Sequence, residues 1–182
     1  MKMNKFILLI IMQLYLSNFL VAQNKSELFG SFAGELPTIN LNSSDIVSQK
    51  FDLALGYAYH KNAELFVYVG NGVLGQRSES ESFVCEISNF GIGANFLYPI
   101  GSDLKLGIEA SGSYGMSDVY DDINYDHWIY QGGIKVQSAN SSLGGIDVFA
   151  ILGVRNRSFF HYSINSLELF YGIGMRFGVK KK

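Results

Sequence analysis

The chain has 182 residues, a formal net charge of −2, one cysteine, and 25 aromatic residues that are Phe (14) or Tyr (11). This length fits a single domain, the slight acidity argues against nucleic acid as a partner, and a lone cysteine excludes an internal disulfide. With 20 glycines and only two prolines, the composition favours strands and turns over helices.

The N-terminus has the layout of a secretory signal peptide. Lys2 and Lys5 precede the apolar run Phe6–Leu16, and Ala22 offers a small residue at a plausible cleavage point. The run is shorter than the roughly 20 apolar residues of a membrane-spanning helix. We therefore expect a signal peptide over residues 1–22 and a single mature domain over residues 23–182. That domain would carry 12 basic and 16 acidic residues, because Lys2 and Lys5 are lost from the 14.

Eight segments of the mature chain alternate between apolar and polar or small residues, a period of two that is typical of strands. The last segment is the clearest, since Leu169, Ile173 and Met175 share one face while Glu168 and Arg176 share the other. The predicted strands are Ser26–Glu35, Gln49–His60, Ala63–Gly75, Val84–Tyr98, Leu104–Met116, His127–Gln137, Leu143–Arg155 and Ser166–Val179. The third has ambiguous parity, because it is apolar on both faces from Leu65 to Val69.

The connections between these strands alternate in length. The short ones are Lys61-Asn62, Pro99–Asp103 and Ser138–Ser142, and the long polar ones are Leu36–Ser48, Gln76–Ser82, Ser117–Asp126 and Asn156–Asn165. Short turns on one side and long loops on the other are typical of outer-membrane barrels, and about 10 alternating residues suffice to cross a bilayer. Lipid also requires that the sheet close. The sequence thus predicts an all-β, eight-stranded antiparallel up-and-down transmembrane β-barrel.

Charges of both signs fall on the face that carries the glycines, which we interpret as the lumen. They are Asp52, Lys105, Glu109, Lys135, Asp147, Arg155, Glu168 and Arg176. A buried charge needs a partner, so we expect cross-strand ion pairs and a filled lumen. The first candidates to pair with Glu168 and Arg176 are Lys105, Glu109, Lys135 and Asp147.

With its signal peptide, strand pattern and C-terminal strand, the chain resembles the small porin-like bacterial outer-membrane barrels of the outer-membrane protein A and X type. The Ala22-Gln23 junction and the Tyr/Gly-rich strands resemble members from the Bacteroidetes. The resemblance implies a monomer in the cell outer membrane, inserted by the barrel assembly machinery and in contact with outer-membrane lipid and lipopolysaccharide. It implies a non-enzymatic structural, surface-interaction or limited-permeation role. Such barrels usually end on an aromatic residue, whereas here Phe177 is followed by five more residues.

An enzymatic alternative rests on the segment His161-Tyr162-Ser163. In an extended chain His161 and Ser163 share a face, so imidazole and hydroxyl could meet. The segment resembles the lipid A deacylases, which implies Ser163 as nucleophile, His161 as base and Glu168 as the residue that orients the base. Glu168, however, lies on the opposite parity from His161 and Ser163 if the strand is unbroken, which favours a polar rim over a catalytic site.

Two further alternatives concern metals and location. The acidic loop that contains Asp118, Asp121, Asp122 and Asp126 beside His127 could hold a divalent cation, but it lacks the spacing of a calcium loop, which favours a solvated loop. The sequence predicts no cofactor and no metal site. A soluble periplasmic ligand-binding barrel would carry its apolar residues inside, whereas a membrane barrel carries them outside.

Overall fold

The computed structural model describes residues 27–42, 46–77, 82–117, 125–138, 146–160 and 165–178. The predicted signal peptide therefore lies outside the described residues. The strands are β1 (Glu27–Glu35), β2 (Ile39–Asn40), β3 (Ile46–His60), β4 (Ala63–Arg77), β5 (Ser82–Ile100), β6 (Leu104–Ser117), β7 (His127–Ser138), β8 (Ile146–Phe159) and β9 (Asn165–Gly178).

No helix in the described residues is long and apolar enough to span a membrane.

The strands form one closed antiparallel sheet. Each strand from β3 to β8 pairs with its neighbours in chain order, and β1 pairs with both β3 and β9. The two-residue β2 also pairs with β9, so β1 and β2 together occupy one strand position in the barrel wall. The result is the predicted eight-stranded barrel, in which each strand finds its backbone partners in the sheet, as lipid requires.

A β-bulge separates β1 from β2. The last β1–β9 pair is Glu35 with Gly172, and the first β2–β9 pair is Ile39 with Leu169. Three residues lie between Glu35 and Ile39, whereas two lie between Leu169 and Gly172. Pro37, which has no N–H to donate, sits within the bulge. The extra residue turns Thr38 inward, where its N–H donates to the carbonyl of Ser48 at 3.0 Å. It also turns Asn40 toward the lumen, where its amide donates to Ser166 at 3.4 Å.

The outer wall carries a broad band of exposed apolar residues. Leu55, Ile92 and Ile173 are 71%, 64% and 67% exposed, while the charged residues of β3 and β9, which are Lys50, Asp52, Glu168 and Arg176, face inward. Apolar residues outside and charged residues inside are typical of a membrane barrel. A soluble ligand-binding barrel would have the opposite distribution. The structure also settles the parity of β4, which is ambiguous in the sequence. From Leu65 to Val73 its odd-numbered residues, including Val67 and Val69, face outward.

The inner wall is built from aromatic rings that lie directly opposite glycines of the neighbouring strand. A Cβ atom on any of these glycines would overlap the ring, so a larger residue at the glycine position would displace the aromatic side chain. The pairs are Phe29–Gly56, Phe66–Gly93, Tyr68–Gly91, Phe149–Gly174 and Phe170–Gly153.

Several strands run further toward the long loops than the sequence predicts. β3 begins at Ile46 rather than Gln49, β4 continues to Arg77 rather than Gly75, and β8 continues to Phe159 rather than Arg155. Alternation of apolar and polar residues is required only where a wall faces lipid, roughly 9–11 residues per strand. Beyond that depth both faces tolerate polar residues, so the pattern fades before the strand ends.

Candidate functional site

At its loop end, the lumen contains a layer of inward-facing apolar side chains. We call the end with the long connections the loop end and the end with Lys61-Asn62 the turn end. The layer, called here the apolar cap, consists of Ile46, Leu74, Cys85, Ile87 and Phe159, with Tyr125 packed against it. All five side chains are buried, because they point into the lumen and pack against one another.

Directly below the apolar cap, Arg157 is held by side chains from three other strands. Its Nε donates to Glu168 at 3.0 Å, its Nη2 donates to Ser48 at 2.8 Å, and its Nη1 donates to His127 Nε2 at 2.6 Å. Because a guanidinium only donates, Nε2 carries no hydrogen and Nδ1 donates to the carbonyl oxygen of Tyr125, at 2.7 Å. Arg157, His127 and Glu168 are fully buried.

One layer deeper, Arg155 links the carboxylates of β1 and β9. Its Nη2 donates to both carboxylate oxygens of Glu35, at 2.7 and 2.5 Å, and its Nη1 lies 3.8 Å from Glu168. Lys50 then bridges Glu35, at 3.4 Å, and Asp52, at 2.8 Å. We refer to these residues together with Arg157, His127 and Ser48 as the loop-end network.

A second group of ion pairs occupies the turn end. Arg176 reaches Glu64 at 3.0 Å and Asp147 at 3.4 Å, and Lys135 reaches Glu109 at 2.9 Å. These five residues form the turn-end network. Their charges come from β4, β6, β7, β8 and β9, so the network ties most of the wall together.

Four of the buried cations also lie over an aromatic ring, which fills the space that the ion pairs leave. The pairs, with distances to the ring centroid, are Lys50–Tyr68 at 5.1 Å, Lys135–Phe149 at 4.1 Å, Arg155–Phe170 at 4.8 Å and Arg176–Phe29 at 4.4 Å. All four of these rings also lie opposite a glycine.

All eight charges that the sequence assigns to the lumen lie on the inner wall, and seven of them make ion pairs. These seven are Asp52, Glu109, Lys135, Asp147, Arg155, Glu168 and Arg176. Lys105 is half-buried near the turn end and makes no ion pair within the described residues.

Besides Ser48, sequence reasoning missed five ionisable members of the two networks: Glu35, Lys50, Glu64, His127 and Arg157. Parity could have found three of them, because Lys50 shares the face of Asp52, Arg157 that of Arg155, and His127 that of Gln131. Glu35 precedes the bulge in a strand of weak parity, and Glu64 lies in the strand of ambiguous parity. For these two, no signal in the sequence was sufficient.

The residues of the enzymatic alternative are not brought together in the part of the chain that the structure describes. His161 and Ser163 lie outside the described residues. Glu168 is fully buried, accepts a hydrogen bond from Arg157 and accepts another from the Ser48 hydroxyl at 3.0 Å. A Glu168 carboxylate that oriented His161 would first have to leave these two donors.

Asp126 and His127, the two members of the acidic loop region that the structure describes, are each engaged by other partners. Asp126 accepts hydrogen bonds from the Tyr114 hydroxyl at 2.8 Å and from the Ser117 N–H at 3.1 Å. His127 faces the lumen, where Nδ1 contacts the Tyr125 carbonyl and Nε2 contacts Arg157, so neither ring nitrogen is directed at the acidic loop. Asp118, Asp121 and Asp122 lie outside the described residues, which hold no grouping of side chains suited to a metal ion.

Neither a protein-family model nor a curated protein sequence matches the chain. Among solved structures, Neisserial surface protein A (NspA) is similar with a TM-score of 0.51 and 14% identity, over 84% of this chain and 96% of that one. The N-terminal β-barrel domain of OprF from Pseudomonas aeruginosa has a TM-score of 0.49 and 12% identity, over 84% and 97%. The outer membrane enzyme PagL has a TM-score of 0.49 and 14% identity, over 83% and 99%. At such identities the similarity concerns architecture, and the chain has the fold of a small outer-membrane β-barrel.

Proposed function

We propose that this chain is a closed, non-enzymatic barrel of the bacterial outer membrane, with a structural or surface-interaction role. The observation that carries the proposal is the filled lumen, in which ion-pair networks lie beneath the apolar cap. Among the described residues, ion-paired side chains and the apolar cap occupy the lumen, and no free nucleophile lies beside a free base. The long loops are then the parts of the chain left to contact partners.

The proposal includes the route to the membrane. Residues 1–22 are removed as a signal peptide, and the barrel assembly machinery inserts the remaining chain as a monomer among outer-membrane lipid and lipopolysaccharide. The apolar outer wall supports this location, because it would be unfavourable in water over so large an area. Phe177, which faces outward near the end of β9, is then the aromatic residue that the machinery reads.

Reconstitution of the purified barrel in a planar bilayer is expected to give no steady conductance. An ion entering from the loop end would have to pass the apolar cap and then displace desolvated ion pairs such as Arg155–Glu35. The measurement is single-channel current, with an open porin reconstituted in the same way to show that insertion is detected. A large and steady conductance would contradict the filled lumen and the proposed function with it.

Substitution of Leu55 by Arg is expected to destabilise the barrel by about 2 kcal/mol, because a charge on the lipid-facing wall is costly near the bilayer centre. Leu55 is the most exposed leucine of β3, at 71%. His60→Arg is the matched control, since His60 is exposed at the turn end of the same strand. The folded fraction is read from heat-modifiable gel mobility across a urea series. Equal effects of the two variants would argue against a membrane-spanning β3.

Lipid A from cells that carry the native chain is expected to have the same acyl number as lipid A from cells that carry Ser163→Ala. The reason is that Glu168 is engaged by Arg157 and Ser48 and does not complete a triad. Mass spectrometry of extracted lipid A is the measurement. Loss of one acyl chain in the native strain alone would establish the enzymatic alternative.

A further inference from the structure

On the outer wall, at the loop end of β6, β7 and β8, three aromatic side chains contact one another. The ring centroid of Tyr114 lies 5.3 Å from that of Trp128 and 5.8 Å from that of Phe160, and the centroids of Trp128 and Phe160 are 6.3 Å apart. Trp128 and Phe160 remain 43% and 50% exposed. Aromatic residues are common where a barrel wall meets the membrane surface, so the rings alone indicate depth rather than a binding site.

Polar side chains lie between these rings on the same face of the sheet. Ser158 is the direct β8 partner of Trp128, and Asn156 is the direct partner of Tyr130, two residues further toward the turn end. Tyr130 and Asn156 both face outward and are exposed. Hydrocarbon offers an amide or a hydroxyl no partner, so these side chains lie at the depth of the lipid headgroups. We call the whole group the platform: Tyr114, Trp128, Tyr130, Asn156, Ser158 and Phe160.

The charges around the platform narrow its partner. Within the described strands β6, β7 and β8, the outward-facing positions carry no charged side chain; they are the even-numbered residues of 104–116, 128–138 and 146–158. The charge in contact with the platform is negative, since the Asp126 carboxylate accepts a hydrogen bond from the Tyr114 hydroxyl at 2.8 Å. A phosphate would find no cation on these strands and would be repelled by Asp126, which argues against a charged headgroup.

Aromatic rings beside an amide and hydroxyls, on an uncharged surface, match the chemistry of a sugar ring. The C–H bonds on one face of a sugar pack against aromatic rings, while its hydroxyls exchange hydrogen bonds with amides and hydroxyls. The Tyr114 hydroxyl donates to Asp126, so its oxygen remains an acceptor for a sugar hydroxyl. Because the platform lies on the lipid-facing side of the wall, its occupant reaches it from within the membrane.

We propose that the platform binds the uncharged sugar headgroup of a glycolipid in the outer leaflet. The rings of Trp128 and Phe160 contact the apolar face of the sugar, and Asn156 and Ser158 bind its hydroxyls. Such binding rests on the proposed function, since it requires the outer membrane, and it gives the surface-interaction role a partner of stated chemistry.

Trp128 is the single tryptophan of the chain, so its fluorescence reports directly on the platform. The barrel is reconstituted in phosphatidylcholine nanodiscs that contain increasing fractions of monoglucosyl diacylglycerol. We expect the Trp128 emission to change in a saturable way, whereas diacylglycerol with the same acyl chains and no sugar is expected to cause no such change. An equal response to the two lipids would show that the rings only anchor the barrel at the membrane surface and would overturn the proposal.

Asn156→Leu tests the polar part of the platform, and Asn71→Leu is its matched control, because Asn71 is also an exposed, outward-facing amide, on β4. We expect Asn156→Leu to weaken the apparent affinity for the glycolipid about fivefold, the effect of losing one hydrogen bond, and Asn71→Leu to leave it unchanged. Phe160→Leu keeps an apolar side chain but loses the ring, and we expect a loss of about fivefold there too. Unchanged affinity in both platform variants would overturn the proposal.

The salt dependence tests the uncharged character of the partner. The apparent affinity is expected to be the same at about 50 mM and about 500 mM salt, because no ion pair contributes to it. A fall with salt would show that a charged headgroup binds and would overturn the proposal. All three variants are expected to keep heat-modifiable gel mobility and to give no steady conductance, so a failure of the platform is distinguishable from a failure of the proposed function.

Discussion

Arg155→Met is expected to destabilise the folded barrel by about 3–5 kcal/mol, the effect of removing one partner from a buried ion pair. Arg155 donates from Nη2 to both carboxylate oxygens of Glu35, donates to Gln131 at 3.0 Å and lies over the ring of Phe170. Without the guanidinium, Lys50, at 3.4 Å, is the cation that remains paired with Glu35 among the described residues. The free energy of unfolding can be followed by the fluorescence of Trp128, the single tryptophan.

Two controls separate charge from packing at this position. Arg155→Lys retains the charge but loses the guanidinium that donates to Glu35, Gln131 and Ser48 together, so we expect an intermediate loss of stability. The double variant Arg155→Met with Glu35→Leu removes both charges, so it is expected to recover much of the stability that the single variant loses. Additive losses in the double variant would show that Arg155 and Glu35 are not energetically coupled, contrary to the geometry.

Gly153→Val is expected to prevent most of the chain from reaching the folded barrel, with a cost of about 3 kcal/mol or more, at the upper end of the range for overpacked cores. A Cβ atom at Gly153 would overlap the carbonyl of Gly132, the Cα of Gly133 and the ring of Phe170. Two of these three neighbours are backbone atoms of β7 and cannot move aside without breaking the β7–β8 pairing.

The control for Gly153 is Gly132→Ala on the facing strand. A Cβ atom there would meet only the Glu109 carbonyl oxygen, at 3.7 Å, which is ordinary contact distance. We expect no more than about 0.5 kcal/mol of change, as for most surface substitutions. The folded fraction is measured by heat-modifiable gel mobility for both variants. Equal tolerance of Val at Gly153 and Ala at Gly132 would contradict the packing of the Phe170 ring.

The architecture could be predicted from the sequence because lipid imposes a period of two on every strand that crosses it. The face of Arg176 and Glu168 followed from parity alone. Their partners did not, because pairing across a lumen depends on register and tilt that no single strand encodes. Arg176 pairs with Asp147, as expected, but also with Glu64, while Glu168 pairs with Arg157 and Arg155 and with none of the expected residues.

The bulge at Pro37 shows a second limit of sequence reasoning. One extra residue inverts the parity of everything after it, and neither periodicity nor composition indicated where β1 would be interrupted. The loop-end network depends on this inversion, because it brings Thr38 to the Ser48 hydroxyl that also serves Arg157 and Glu168.

The interlocked rings and glycines also set how freely such a barrel can diverge. Each ring and its glycine belong to different strands, so neither can change without a compensating change in the other. A position on the lipid-facing outer wall requires only an apolar side chain, so different apolar residue types can replace one another there. Sequence drift should therefore accumulate on the outside and proceed by paired steps on the inside. A barrel that evolves under these two rules can keep its architecture at sequence identities as low as the 14% that separates this chain from NspA.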